Sequence, residues 1–306
     1  PSFAEAQSYP SRPLRIIVGF PAGGSVDKVA RLISQHLTAS LGQQIIVDNR
    51  PGAHGIIGTE LAANAAPDGY TLLMASGGHS INPTIFKKLP YDPIKDFTTI
   101  SRIASYPMLL LAHPSLPVHS VKDLVALAKA KPKALNYAST GPGSTAHLTM
   151  EMFGDAAKVS LTHIPYKGGA PALTDLIAGQ TQVMFNVILV GLPHVTSGKL
   201  RGIAVTSAKR STAAPKIPTI AESGYPGFET GSWTGVLGPA GIPQEIVGKL
   251  HKEIVRVAKT DGLLSRLNVE GAEIIANSPA AFAAQIKAEI EKWRQIVKIA
   301  GVSLDH

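Results

Sequence analysis

Leu14-Arg15-Ile16-Ile17-Val18-Gly19-Phe20 runs directly into Pro21-Ala22-Gly23-Gly24-Ser25 and then into a stretch from Val26 to about Leu41. The first segment is the short apolar run of a strand buried on both faces. The last has apolar residues at Val26, Val29, Ala30, Leu32, Ile33 and Leu37, which is helical spacing. Strand, glycine-rich loop and helix thus follow one another without a gap, and the pattern occurs twice. Leu135-Asn136-Tyr137-Ala138-Ser139 reads as a strand, Thr140-Gly141-Pro142-Gly143-Ser144-Thr145 as its loop, and a helix follows from about Ala146. Each unit leads into a second one. The first continues through Ile45-Ile46-Val47, Pro51-Gly52-Ala53, a helix to Ala65 and the strand Thr71 to Met74. The second continues through Leu161 to Ile164, Lys167-Gly168-Gly169, a helix to Ala178 and the strand Gln182 to Phe185. Two similar α/β lobes, each feeding a glycine-rich loop into a helix N-terminus, form a clamp. Backbone N–H groups and the positive end of a helix dipole suit an anion.

Outside the repeats, Pro1 to about Pro10 reads as a lead-in without structure. Asp68-Gly69 marks a turn, and the strand after it ends in the polar loop Ser76-Gly77-Gly78-His79-Ser80. Ile100 to Ile103 and Pro107 to His113 read as two strands, with a crossover near Ala104 to Pro107 between them. Ser120 caps a helix from Val121 to about Ala130. A helix near Pro193 to Ser197 precedes the strand Gly202 to Thr206. The stretch Glu229 to Gly235 reads as a second crossover. Long helices are expected from Pro243 to Ala258 and from Pro279 to Ala300, with another near Gly262 to Val269, all packing on the first lobe. The expected division is residues 1–105 plus 230–306 for lobe 1 and 106–229 for lobe 2. The sheets should be largely parallel and covered on both faces. Ligands of open α/β sheets bind beyond the carboxyl ends of strands. Four loops sit at such ends: Phe20 to Ser25, Ser76 to Ser80, Ser139 to Thr145 and Phe185 to Ile188.

Composition narrows the classes. The chain has 306 residues, 44% hydrophobic and 16% charged, which excludes intrinsic disorder. Its apolar runs are far shorter than the roughly 20 residues of a membrane span. With no cysteine, disulfides, thiolate metal sites and cysteine nucleophiles are excluded. The formal net charge is +8, but Lys and Arg are scattered rather than gathered into a basic arm, so no nucleic-acid partner is expected. Ala4-Glu5-Ala6 before Gln7 fits a small-residue secretion cleavage site.

Several segments admit more than one chemistry. Gly141-Pro142-Gly143-Ser144-Thr145-Ala146 matches G-x-G-x-x-A, a dinucleotide fingerprint, but no acidic residue follows about 20 positions on. The same segment serves a carboxylate site, or a plain N-cap made by Ser144. Gly23-Gly24-Ser25 lacks the Lys-Ser/Thr of a P-loop. Ser76 with His79, or Ser139 with His147, would be the candidates for a serine hydrolase, yet there is no G-x-S-x-G elbow. None of the ten histidines lies in an H-E-x-x-H motif, and no metal or cofactor is expected. Trp233 is either hinge packing or a pocket wall. Asn186 either caps a strand end or bonds to a ligand.

Taken in order, Phe20 to Asp27, Asn49 to Ala53, Pro67 to Tyr70, Tyr91 to Phe97, Tyr137 to Leu148 and Pro165 to Ala170 carry a resemblance. The chain resembles the Bug/TctC family, the periplasmic solute-binding proteins of tripartite tricarboxylate transporters, from about Tyr9 to Val302. The resemblance implies a type II, Venus-flytrap periplasmic-binding-protein architecture with two crossover segments. It implies a monomeric receptor in the periplasm, not an enzyme, that closes on a small carboxylate and serves membrane transporter subunits. A dinucleotide-dependent enzyme and a sensor docking on a signalling partner are the alternatives. Family ligands include acidic amino acids, citrate-like acids, C4 dicarboxylates, nicotinate-like acids and aromatic dicarboxylates. By resemblance, one carboxylate is held by Phe20, Pro21, Ala22, Gly23 and Gly24, by Ser76, Gly78 and His79, and by Ser139, Thr140, Gly143, Ser144 and Thr145. The far end would meet Phe185, Asn186 and Trp233. Where many members have Phe-Asp, this chain has Phe185-Asn186, which removes a negative charge. A dicarboxylate, aromatic or not, is therefore expected over an amino acid.

Overall fold

The computed structural model describes residues 9–260, 262, 267–268 and 271–304. Ten strands form a curled mixed sheet. They are β1 (Leu14–Val18), β2 (Ile45–Asn49), β3 (Thr71–Ser76), β4 (Phe97–Ala112), β5 (Asn136–Ser139), β6 (Thr162–Pro165), β7 (Val183–Val187), β8 (Arg201–Val205), β9 (Gly231–Pro239) and β10 (Glu273–Ile274). The order is β2-β1-β3-β9-β4-β7-β5-β6, with β8 and β10 also paired to β4. Both outer wings are parallel, as the strand–helix alternation predicts. The centre is not: β9 runs antiparallel to β3 and β4, and β7 and β8 run antiparallel to β4.

β4 is a single strand of 16 residues where the sequence reads as two strands and a crossover. Its first part pairs with β9 through Pro107↔Gly231, and its last part, from Met108, pairs with β7 and β8. Pro107 lacks the N–H that a continuous ladder needs, and the partners change there. Both faces of the strands are buried, so alternate residues join different cores. Ile16 and Met74 face a cluster with Val29 and Leu250, while Ile17 and Leu73 face one with Phe282. Met108 and Leu110 pack with Phe153, Leu109 and Leu111 with Leu173.

The helices are α1 (Ser25–Leu41), α2 (Ile56–Ala63), α3 (Gly78–Ile85), α4 (Val121–Ala130), α5 (Thr145–Ala157), α6 (Gly169–Ile177), α7 (Ile188–Thr196), α8 (Gln244–Ala258) and a last one, α9 (Pro279–Ala300). α4 starts where Ser120 accepts from the Asp123 N–H, and α9 where Ser278 accepts from Ala281. Three expectations need correction. The polar loop after β3 is the first turn of α3. α7 begins at Ile188, directly at the end of β7. α9 does not serve the first half alone: Trp293, Ile296 and Val297 pack with Ile81 and Ile85 of α3 and with Leu148 of α5. The lead-in also ends earlier than expected, since the Tyr9 hydroxyl donates to Gly69 O at 2.7 Å and its ring meets Tyr70. The helix expected over 262–269 lies mostly outside the described residues, as does Ala6.

Candidate functional site

The loop after β1 ends at Gly24, which caps α1 without a side-chain acceptor. Lys28 is the first residue whose N–H finds a helical carbonyl, Gly24 O at 2.9 Å. The amides of Ser25, Val26 and Asp27 therefore have no intrahelical acceptor. The buried Asp27 is occupied elsewhere. Its carboxylate accepts from Gly23 N at 2.8 Å, Arg31 Nε at 3.0 Å and Asn49 Nδ2 at 2.9 Å. Burial works against its charge, but the bonds from Arg31, Gly23 and Asn49 outweigh it and hold the pKa below the ordinary carboxylate value. Asn49 Nδ2 also reaches Phe20 O at 3.0 Å, so this network shapes the loop.

α3 likewise has a glycine, Gly77, before its first turn and no side-chain cap. Gly77 donates to Trp233 O at 3.2 Å. A Cβ on Gly77 would sit 3.3 Å from Ser232 Oγ and 3.8 Å from Thr145 Oγ1, so β3's end, the start of β9 and the N-terminus of α5 converge. The Phe20 ring lies against Gly55, its Cζ 3.2 Å from the Cβ position there and 4.0 Å from that at Gly78. Gly141 faces His54 Cε1 at 3.9 Å and Tyr166 O at 3.3 Å by the same measure. Phe20, Ser76, Gly78, Thr140 and Thr145 thus lie in loops and at element ends gathered along one seam. Pro21, Ala22, Gly23 and Gly24 are exposed beside them.

The loop Ser139 to Ser144 is braced from within. Ser139 Oγ meets His163 Nε2 at 2.6 Å and accepts from Gly141 N at 3.1 Å. Gly143 N donates to His147 Nδ1 at 3.0 Å, and Ser144 Oγ accepts from His147 N at 3.3 Å. The His147 and His163 rings stack at 3.9 Å, and Tyr137 continues the stack 4.8 Å from His163. Burial pushes both imidazoles down to about 4, with His163 adding to the effect on His147. With the amides of Gly141 and Gly143 already engaged, the G-x-G-x-x-A segment cannot cradle a pyrophosphate as a dinucleotide fingerprint does. The serine–histidine contact is made with His163 rather than His147, and Ser139 is fully buried, so it offers no nucleophile.

Three expected site residues point elsewhere. His79 is buried in an aromatic nest, stacked on Tyr91 and edge-on to Phe97, and its Nε2 bonds to Pro93 O at 2.9 Å. Burial lowers its pKa to about 4. Phe185 is fully buried against Phe153 in the core under α5. Trp233 packs edge-on against Phe282, and its indole N–H donates to Glu289, which makes it a packing residue. Their side chains went to the core because each sits on a strand or helix face whose neighbours are apolar. Asn186 is buried at the end of β7, and its Nδ2 makes only a weak 3.9 Å contact with Met184 Sδ. The sequence reading missed His54 and Ser232. Both lie at strand ends, His54 in the loop beyond β2 and Ser232 opening β9, so the carboxyl-end rule would have found the first.

A family profile described as "Tripartite tricarboxylate transporter family receptor" matches residues 29–302. The chain belongs to this receptor family. BugT of Bordetella pertussis is 36% identical over 301 residues, 98% of this chain and 92% of that protein. Among solved structures, an R. palustris protein with adipate is 38% identical with a TM-score of 0.91, covering 96% of this chain and 99% of its own. MatC from Rhodopseudomonas palustris with bound malate is 33% identical with a TM-score of 0.86, covering 94% and 100%. The fold is that of periplasmic solute-binding proteins, and the family is one of receptors.

Proposed function

We propose that this receptor captures a small dicarboxylate between two lobes, residues 1–105 plus 230–306 and residues 106–229, and delivers it outside the cytoplasm to a tripartite tricarboxylate transporter. The observation that carries the reading is the pair of glycine-capped helix starts, at Gly24 and Gly77, beside the N-terminus of α5. Helices remote from the seam, α4 and α9, satisfy their first turns with serine. At the seam α5 is serine-capped too, through Ser144, but α1 and α3 start without a side-chain cap and leave amides for an incoming anion. Among the described residues Arg102 is the cation with a buried Nε, and its guanidinium is turned to Ser105 Oγ at 2.8 Å, so the carboxylate would be held by neutral donors: the amides of Ser25, Val26 and Gly78, and the hydroxyls of Ser76 and Thr145. The relatives with adipate and malate support a dicarboxylate. Asn186 supports it further, because an amide there spares a second carboxylate a like charge.

Calorimetric titration with succinate, malate, adipate, hexanoate, aspartate and glutamate tests the reading. A dicarboxylate should bind tightest. Asn186→Asp should weaken that acid by about 10- to 100-fold, since a like charge roughly 6 Å away costs up to about 3 kcal/mol at an effective dielectric near 20. Tighter binding of hexanoate or an acidic amino acid would sink it.

A further inference from the structure

The turn between β2 and α2 runs through four residues with positive φ: Gly52 at 137°, Ala53 at 45°, His54 at 56° and Gly55 at 84°. Glycine adopts such angles freely, whereas Ala53 and His54 do so against their Cβ atoms. The chain keeps a histidine at a position that backbone geometry would give to glycine or asparagine. It is also held there. Buried Asn82 of α3 donates from Nδ2 to His54 O at 3.3 Å, and the imidazole meets Phe86 edge-on with centroids 5.6 Å apart. The ring reaches across the seam to Gly141, in the loop of the other half. Among the described residues, no hydrogen bond engages either ring nitrogen. Burial lowers its pKa, so at neutral pH the ring is uncharged and carries one N–H donor.

We infer that His54 is a specificity-determining residue: its imidazole N–H donates to the ligand's second carboxylate, lodged between the 52–55 turn and Gly141. The inference rests on the dicarboxylate-receptor reading above. The first carboxylate would occupy the other end of the seam, where Gly77 meets Thr145. A neutral donor fits a site without buried cations. It discriminates because only a dicarboxylate gives the half-buried N–H a charged acceptor in place of water, whereas a monocarboxylate gains nothing from the ring.

The test is calorimetric titration of wild type, His54→Ala, His54→Gly and His54→Asn. The probes are the straight-chain dicarboxylate of four to eight carbons that binds wild type tightest and the monocarboxylate of equal length. His54→Ala should weaken the dicarboxylate about tenfold or more and leave the monocarboxylate within about twofold. His54→Gly removes ring and backbone strain together, so it should show the same selective loss in a chain at least as stable to heat. His54→Asn keeps a neutral donor, tolerates the left-handed angle and should recover most of the affinity. Equal losses for both acids would make His54 a closure contact, and no loss would make it a bystander; either overturns the inference. Failure of wild type to bind any acid of both series would overturn the receptor reading itself, and is told apart because it appears before any substitution.

Discussion

His147 and His163 lie face to face at 3.9 Å with ring planes 8° apart, a packing that disfavours charge on both imidazoles. His147 Nδ1 must stay unprotonated to accept from Gly143, so the glycine-rich loop depends on the neutral ring. Both pKa values are near 4, and that of His79 is too, against 6.5 when unfolded. Between those values the unfolded chain binds more protons, so stability falls as pH drops from about 6.5 and levels off below about 4. For the stacked pair, with a discount for the partly exposed His163, the loss is about 2–4 kcal/mol. Urea unfolding from pH 7 to 4.5 should show a shallower decline in His147→Gln than in wild type; equal slopes would refute the assignment. At this scale the sequence was partly legible. Glycine and serine in Ser139 to Thr145 announce a loop at a helix start through their own backbone preferences. His79, Phe185 and Trp233 announce nothing, because whether an aromatic or a histidine faces a ligand or a core depends on what the rest of the chain packs against it.

Thr206 shows how an element is fixed at the point where the sheet changes partners. Its hydroxyl accepts from Met108 N at 2.8 Å and donates to Thr230 O at 2.6 Å. Its backbone adds bonds to Met108 O at 2.9 Å and from Thr230 N at 3.1 Å. One fully buried side chain thus ties β4, just past Pro107, to the segment entering β9. Thr206→Val keeps the shape and leaves a donor and an acceptor unpaired, a loss of about 2–4 kcal/mol in chemical denaturation. Thr206→Ser should lose markedly less, and equal losses would mean that the methyl group, not the hydroxyl, matters. The outer strands and α1, α4 and α9 were readable from apolar spacing and cap residues. β4 was read as two pieces because Pro107 interrupts its pattern. α3 was read as a loop because its first residues are glycine, histidine and serine, and its apolar face appears only where Ile81 and Ile85 meet Leu148 and Trp293.

For the whole molecule, charge and site are separate. The net charge is +8, yet the groups proposed to hold the ligand are neutral donors. A dianion should be drawn in by the overall field and held by short-range bonds. Its association rate should therefore fall severalfold between about 20 mM and about 500 mM salt, while its dissociation rate stays within about twofold. Stopped-flow fluorescence would read both; a salt-sensitive dissociation rate would place a surface cation on the ligand.

β9 lies between β3 and β4, although more than half of the chain separates it from β3. As the chain is made from its N-terminus, β3 and β4 acquire their shared neighbour only after β5 to β8 have been completed. Until residue 239 is available, the first half of the sheet keeps a slot with two unpaired edges, the kind of surface on which chains aggregate or recruit chaperones. The strands β5 to β8 are nearly contiguous in sequence and need no such late partner among themselves, so the strand that completes the scaffold is the one that carries Ser232 to the seam.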